Sequence, residues 1–323
     1  MKQLKTISVL ILAVVLITTV FGISACSDNS IKIYLPDGTP ALALANIMDN
    51  NANFSNKITT FNIVPADNIS AAFNDDADIA VMPTVVAAKL YSKGAKIKLL
   101  STNIFGNLFI MGVNNSATDF EGLKGKVVYT TVGTTISLFK YLLTENQIEY
   151  VEGAQSVEGK VALSSYSDAG TIIPLLKQAS IKSTEAYGVL GEPQVTRSKQ
   201  LITNIVTVVD FQAEWQKITE FEGYPQASLI ATEEFCKNNS KYIGKLLAAL
   251  KDNTEFLQQN YSDLPALFAR FDSNLQNMTF TADTITNSNI RFVSAQDIKS
   301  SVMDYIGRLE TTTTIDDGFF YAA

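Results

Sequence analysis

Two stretches decide the fold: "IKIYLPDGT" (31–39) and "KVVYTTVGT" (126–134). Each is an apolar, β-branched run that reads as a strand, followed by Gly-Thr and then by helix-compatible sequence. A second pair lies downstream in the same order, "DADIAVMPT" (76–84) and "TEAYGVLGEP" (184–193). Each of these has an acidic residue and an alanine, an apolar strand, and a proline. Repetition of both pairs in one order predicts two similar α/β lobes.

Outward from these anchors, strands and helices alternate. Strands are expected at Ile58–Val64, Ile97–Thr102 and Val161–Ser164, with helices at Asn68–Phe73, Pro83–Ser92 and Thr135–Thr144. Asp168 is expected to cap a helix reaching Ala179, with Pro174 a place for it to bend. Thr39 is read as a helix cap with Pro40 behind it. The near-continuous apolar run 78–82 suits a parallel strand covered on both faces. Alternation at this spacing predicts βαβ units and an α/β fold of two doubly wound lobes. Two further strands, Leu108–Gly112 and Ala227–Ala231, read as hinge strands, with the hinge near Gly112 and Gly223. The expected organisation is 31–112 with 226–323 as lobe 1 and 113–225 as lobe 2. Beyond Glu233 the chain reads as mostly helical, with amphipathic spacing over 241–260 and 295–309.

Composition narrows the function. Of 323 residues, 46% are apolar and 18% charged, which excludes a disordered chain. A net charge of −7 without a basic stripe argues against nucleic-acid binding. Histidine is absent and only Cys26 and Cys236 occur, so His-based triads, His-ligated metals and thiolate clusters are ruled out. No paired carboxylates and no phosphate-cradling Gly-Lys loop stand out, so no catalytic residues, cofactor or metal are expected.

The N-terminus reads as an address. Lys2 and Lys5 precede an apolar run, Ile7–Phe21, and Ile23-Ser24-Ala25-Cys26 follows. This resembles the bacterial lipobox pattern, with 1–25 expected as a signal peptide, Cys26 as the lipidation site and 26–30 as a tether; a transmembrane anchor with an incidental cysteine is the other reading. The expected location is the extracytoplasmic face of a cell membrane. A single acyl chain gives only marginal binding, so stable anchoring needs two or more.

In doubly wound sheets ligands lie at the carboxyl ends of strands. The loops there contain Asp37, Gly38, Thr39, Pro83, Thr84, Asn103, Phe105, Asn107, Gly133, Thr134, Thr135 and Glu192, which are the candidate ligand-binding residues. Helix N-termini offer free N–H donors to a polar or anionic group without a fixed Arg. Each threonine could equally cap a helix and each glycine turn the chain. Phe105 could stack on a flat ligand or pack under the hinge; Trp215 suits the core; Tyr224 could serve either role.

At these residues the chain resembles a known family. "LPDGTPALALANIM" (35–48), "DIAVMPTVVAAKLYSKG" (78–94), "NIFGNLFIMGVN" (103–114), "LKGKVVYTTVGTT" (123–135), "VLGEPQVT" (189–196), "YPQASLIAT" (224–232) and "SNIRFVSAQDIK" (288–299) are similar to solute-binding lipoproteins of bacterial ABC importers. The nearest type is that of nitrate, sulfonate, taurine and thiamine precursors, with the type II periplasmic-binding fold. The resemblance implies a monomeric receptor that closes on a small-molecule solute and delivers it to a permease and ATPase. A ligand-sensing lipoprotein without transport is the alternative, and an enzyme on this fold the weaker one. Relatives often read Gly-x-x-Asp-Ala-Ala-Val before the Glu-Pro step; here "KSTEAYGVLGEP" (182–193) places Gly188 there, which suggests an altered pocket floor.

Overall fold

The computed structural model describes residues 30–50 and 52–322, so Cys26 and the leader lie outside the described residues. Contacts separate Met1–Ser30 from Ile31–Ala323, and the second unit holds the lobes. In lobe 1 the order is β1 (Ser30–Pro36), α1 (Thr39–Leu42), α2 (Ala45–Asp49), β2 (Ile58–Val64), α3 (Ile69–Asp75), β3 (Ile79–Pro83), α4 (Thr84–Ser92) and β4 (Ile97–Phe105). Lobe 2 follows with β5 (Leu108–Val113), β6 (Val127–Thr131), α5 (Thr134–Glu145), β7 (Tyr150–Glu152), β8 (Val161–Tyr166), α6 (Ile172–Ile181), β9 (Ala186–Gly191), α7 (Gln194–Leu201), β10 (Ile205–Asp210) and α8 (Phe211–Ile218). The chain returns through β11 (Pro225–Thr232), α9 (Glu233–Asn238), α10 (Ser240–Leu250), α11 (Asn253–Asn260), α12 (Leu264–Ala269), α13 (Ala282–Asn287), β12 (Ile290–Ser294) and α14 (Ala295–Leu309).

Two sheets result, β2-β1-β3-β11-β4-β12 and β7-β8-β6-β9-β5-β10. With β7 added in parallel at the edge beside β8, each sheet sets its first parallel strand between two later ones: β1 between β2 and β3, and β6 between β8 and β9. Next comes one antiparallel strand delivered from the other lobe, β11 in sheet 1 and β5 in sheet 2. The two halves therefore share a strand order, as the paired sequence stretches predict.

The strand change falls earlier than the sequence suggested. Leu108–Val113 pairs wholly with β9 and β10, so the first crossing is at Gly106–Asn107 and not at Gly112. Gly112 serves packing instead: a Cβ there would lie 2.8 Å from Val208 Cγ2. Gly106 and Gly223 share one neighbour, since a Cβ on Gly106 would meet Gln212 Oε1 at 2.1 Å and one on Gly223 would meet Gln212 Nε2 at 2.6 Å. Both crossings need the missing side chain.

Local differences have simple causes. Gly38, not Thr39, occupies the cap of α1, with Pro40 in the first turn where its missing N–H costs nothing. The helical stretch that begins at Thr39 is split into α1 and α2. Asp168 makes no side-chain cap; a 3-10 turn at Ala169–Thr171 intervenes before α6. Pro174 lies in the first turn of α6, where no intrahelical bond is lost and no bend is required. Gly188 admits Ile172 of α6, whose Cγ2 would be 2.5 Å from an added Cβ.

The lobes share a core at the crossing. Trp215 of α8 is buried with Tyr141 of α5, Tyr224 and Tyr305 of α14 at ring separations of 5.9, 5.8 and 5.5 Å. Arg308 of α14 donates to Asp304 at 2.6 Å and to the Tyr141 hydroxyl at 2.7 Å, tying lobe 1 to lobe 2. These contacts place Trp215 in the core and Tyr224 at the hinge.

Candidate functional site

Between the lobes lies a cleft of about 800 Å³, a volume in the range of small-molecule sites. Its lobe 1 wall comes from the loops after β1 and β2 and from Asn274, Leu275 and Met278. Its lobe 2 wall comes from the loop Ser167–Gly170 after β8 and from one face each of α6 and α7. Ile173 and Lys177 are four residues apart on α6; Gln194, Arg197 and Leu201 are three and four apart on α7, so each set shares one face.

Of the sequence-predicted residues, Asp37 and Gly38 line this cleft. Asp37 is already occupied. Its carboxylate accepts from Ser273 Oγ at 2.5 Å, from Asn274 N at 2.9 Å and Nδ2 at 3.0 Å, and from Gly38 N at 2.9 Å. It therefore fixes the loop that presents Asn274 and Leu275. Gly133, Thr134 and Thr135 are not among the residues that line this cleft; Val132 N donates to Tyr166 O at 2.9 Å, which ties their turn to the end of β8. Val132 and Gly133 are exposed, and no protein group among the described residues hydrogen-bonds the Thr134 or Thr135 hydroxyl. They stand at the start of α5, a helix long enough to offer N–H donors.

Other predicted residues are engaged internally. Thr39 Oγ1 donates to Glu192 O across the lobes, and Asn107 Nδ2 donates to Thr39 Oγ1 at 2.9 Å. Thr84 shares hydroxyl bonds of 2.8 Å with Ser228, which bonds Thr102 at the same distance. Asn103 accepts from Ser101 Oγ at 2.7 Å. Phe105 is buried, with the Arg291 guanidinium 3.7 Å from its ring centroid, so it packs under the hinge. Pro83 is the N-cap of α4 and pairs with Ala227.

Glu192 is buried, and burial holds its carboxyl above the usual range, partly offset by Thr196 N donating to Oε2 at 3.1 Å. Its other oxygen, and Asn107 Oδ1, lack a hydrogen-bond partner. Nearby, Thr196 of α7 bonds Thr284 of α13 at 2.9 Å, and Gln200 Nε2 donates to Thr279 O at 2.8 Å. Helix α7 is thus docked on lobe 1.

Sequence reading missed Asp67, Asp168, Lys177, Arg197, Leu275 and Met278. Lys177 and Arg197 had a signal only as helical spacing on α6 and α7, visible once those helices face a cleft; Asp67, Asp168, Leu275 and Met278 lie in loops and 3-10 turns with no periodicity to mark them.

The topology and the inter-lobe cleft define the class: a type II periplasmic-binding-protein fold. No protein-family model matches the chain, and no curated protein does. Solved structures do. An ABC transporter structure from Parabacteroides distasonis superposes with a TM-score of 0.74 at 22% identity, covering 91% of this chain and 99% of that one. The periplasmic aliphatic sulphonate binding protein SsuA of Escherichia coli gives 0.64 at 11% identity, covering 92% and 93%. The ligand-binding component of an ABC-type import system of Staphylococcus aureus, with zinc bound, gives 0.62 at 12%, covering 90% and 96%. At such identities the likeness is one of fold.

Proposed function

We propose that this protein is the substrate-binding component of an ABC importer, anchored by lipid on Cys26 at the extracytoplasmic face of a cell membrane. It captures a small polar or anionic organic solute between its lobes and delivers it to a permease. The observation that carries this reading is the inter-lobe cleft of about 800 Å³, walled in lobe 1 by the loops after β1 and β2 and in lobe 2 by the Ser167–Gly170 loop and by α6 and α7. Binding without bond chemistry also fits the residues. The hydroxyls and amides near the cleft adjoin no nucleophile–base pair, and Cys236 is buried with its thiol pushed up to about 11. An organic solute suits the site better than a metal ion, because no group of three or more His, Cys, Asp or Glu among the described residues could hold one.

The test has two arms. Fractionation of cells carrying Cys26→Ser should move the protein from membranes to the soluble fraction; persistent membrane association contradicts the anchor. Affinity purification from detergent-solubilised, cross-linked membranes should recover a permease and an ATPase; recovery of neither contradicts coupling to transport.

A further inference from the structure

Glu192 lies in the seam where the lobes meet. Its carbonyl accepts from Thr39 Oγ1 of lobe 1, and its N–H donates to Asn107 O of the crossing at 3.2 Å. A Cβ on Gly38 would lie 3.8 Å from Cδ of the following Pro193. One turn further, Thr196 of α7 meets Thr284 of α13 at 2.9 Å, and Asn287 of α13 faces the Glu192 carboxyl. Lobe 1 therefore covers this acid from the Thr39 side and from the α13 side, and it is only 3% exposed.

Inside the seam acceptors outnumber donors. Glu192 Oε2 accepts from Thr196 N at 3.1 Å, but Oε1 has no partner. Asn107 Oδ1, packed where a Cβ on Gly191 would be 3.3 Å away, has none either, while its Nδ2 is engaged by Thr39. An ionised Glu192 leaves two unpaired acceptors and a net charge out of reach of water. A protonated Glu192 removes the charge and supplies an O–H donor. Burial accordingly holds its carboxyl above the usual range.

Charged groups on the surrounding elements do not offset this. Lys199 of α7 acts through space to favour the ion but is exposed, and Arg197 is exposed at the cleft. Asp37 before α1 is taken up by Ser273 and Asn274, and Asp210 by the first turn of α8. Arg291 of β12 is held by Asn289 and the Phe105 ring, and Asp283 of α13 is exposed.

We propose that Glu192 is a proton-operated latch: the closed lobes hold it as a neutral acid, and its ionisation opens the cleft. Separating the lobes withdraws Thr39, Thr284 and Asn287 and admits water, so the open form tolerates the ion. The closed form binds the proton more tightly, so closure is favoured in acid and lost as pH rises through the raised value. Any solute whose capture needs closure is then held more firmly in acid. The proposal rests on the receptor reading above and adds a control on its closure.

The experiment measures the gap itself. Spin labels on Ala66→Cys and Ser167→Cys stand on opposite walls of the cleft and add no charge. Pulsed EPR distances are recorded on the full chain in detergent from about pH 4 to about pH 8, on either side of the ordinary glutamate value. The same chain without the two substitutions sets the background from Cys26 and Cys236. The ratio of short to long distances should fall several-fold as pH rises, at no more than about tenfold per pH unit, the limit for one proton. Glu192→Gln should keep the short distance throughout, because its amide carries a donor and no charge. Thermal melting confirms that this variant is folded, and the native chain's response stands without it. A native distribution indifferent to pH, or a Glu192→Gln chain that follows the native one, overturns the proposal. An indifferent distribution that still shortens with a small-molecule extract of the host sinks the latch and spares the receptor reading. A distance fixed under both treatments sinks both.

Discussion

Gly38 and Gly133 hold the same backbone conformation, φ 96° and ψ −136° in one lobe, φ 81° and ψ −139° in the other. Each caps the helix that follows the first parallel strand of its lobe, and each precedes a threonine. An L side chain is strained there whatever the space around it. An added Cβ on Gly133 meets nothing within 4 Å, so substitution at that site isolates the conformational cost. Gly133→Ala should destabilise the fold by about 1–3 kcal/mol in urea unfolding. A loss below a few tenths would mean the turn relaxes and is not rigid.

Gly106 tests the crossing. Its Cβ would come within 2.3 Å of Tyr224 Cε1, and Tyr224 is wholly buried against Trp215 and Tyr305. The Gln212 amide can swing away, but that ring cannot. Gly106→Ala should therefore cost about 1–3 kcal/mol, and adding Gln212→Ala should recover only part of it. Full recovery would place the clash on Gln212 alone.

Glu192 should give stability an unusual slope. Burial raises its folded carboxyl above the unfolded value, so the folded state holds the proton more tightly. Its contribution is intact below the ordinary glutamate range and is lost as pH rises through the raised folded value. Glu192→Gln carries no such loss. Its stability relative to the native chain should climb with pH across that window and level off above it. A pH-independent difference would contradict the burial of this carboxyl.

Glu185 should do the opposite. Partial burial opposes ionisation, but hydrogen bonds from Lys126, Ser116 and Tyr187 prevail and hold the carboxyl down at about 2. Its stabilisation is present above the unfolded glutamate value and disappears as pH falls toward 2. Glu185→Gln should lose about 1–2 kcal/mol at neutral pH and little in acid. An equal loss at both would show that the charge contributes nothing.

Much of this was legible in the sequence because it is local. The strand–Gly–Thr and strand–proline pairs expose duplicated βαβ units, and their apolar runs fix which segments lie inside each sheet. Where the chain crosses between sheets was not legible, since Gly106, Gly112 and Gly223 look alike until Gln212 and Tyr224 are packed against two of them. Nor was the division of the candidate residues. A threonine after a strand reads the same whether it bonds a serine inside its lobe, as Thr84 does, reaches the other lobe, as Thr39 does, or stands open, as Thr134 does. The charges of α6 and α7 face the cleft only because the sheets place those helices there. Cys26 lies outside the described residues, and the lipidation proposed for it rests on the order of residues 2–26.

Capture of a guest between the two lobes is tested most directly by native mass spectrometry. The protein, purified from its own host without denaturation, should appear heavier than its covalent mass by one small organic molecule, and that excess should vanish on unfolding. A native peak at the bare covalent mass, unchanged after equilibration with a small-molecule extract of the host, would contradict it.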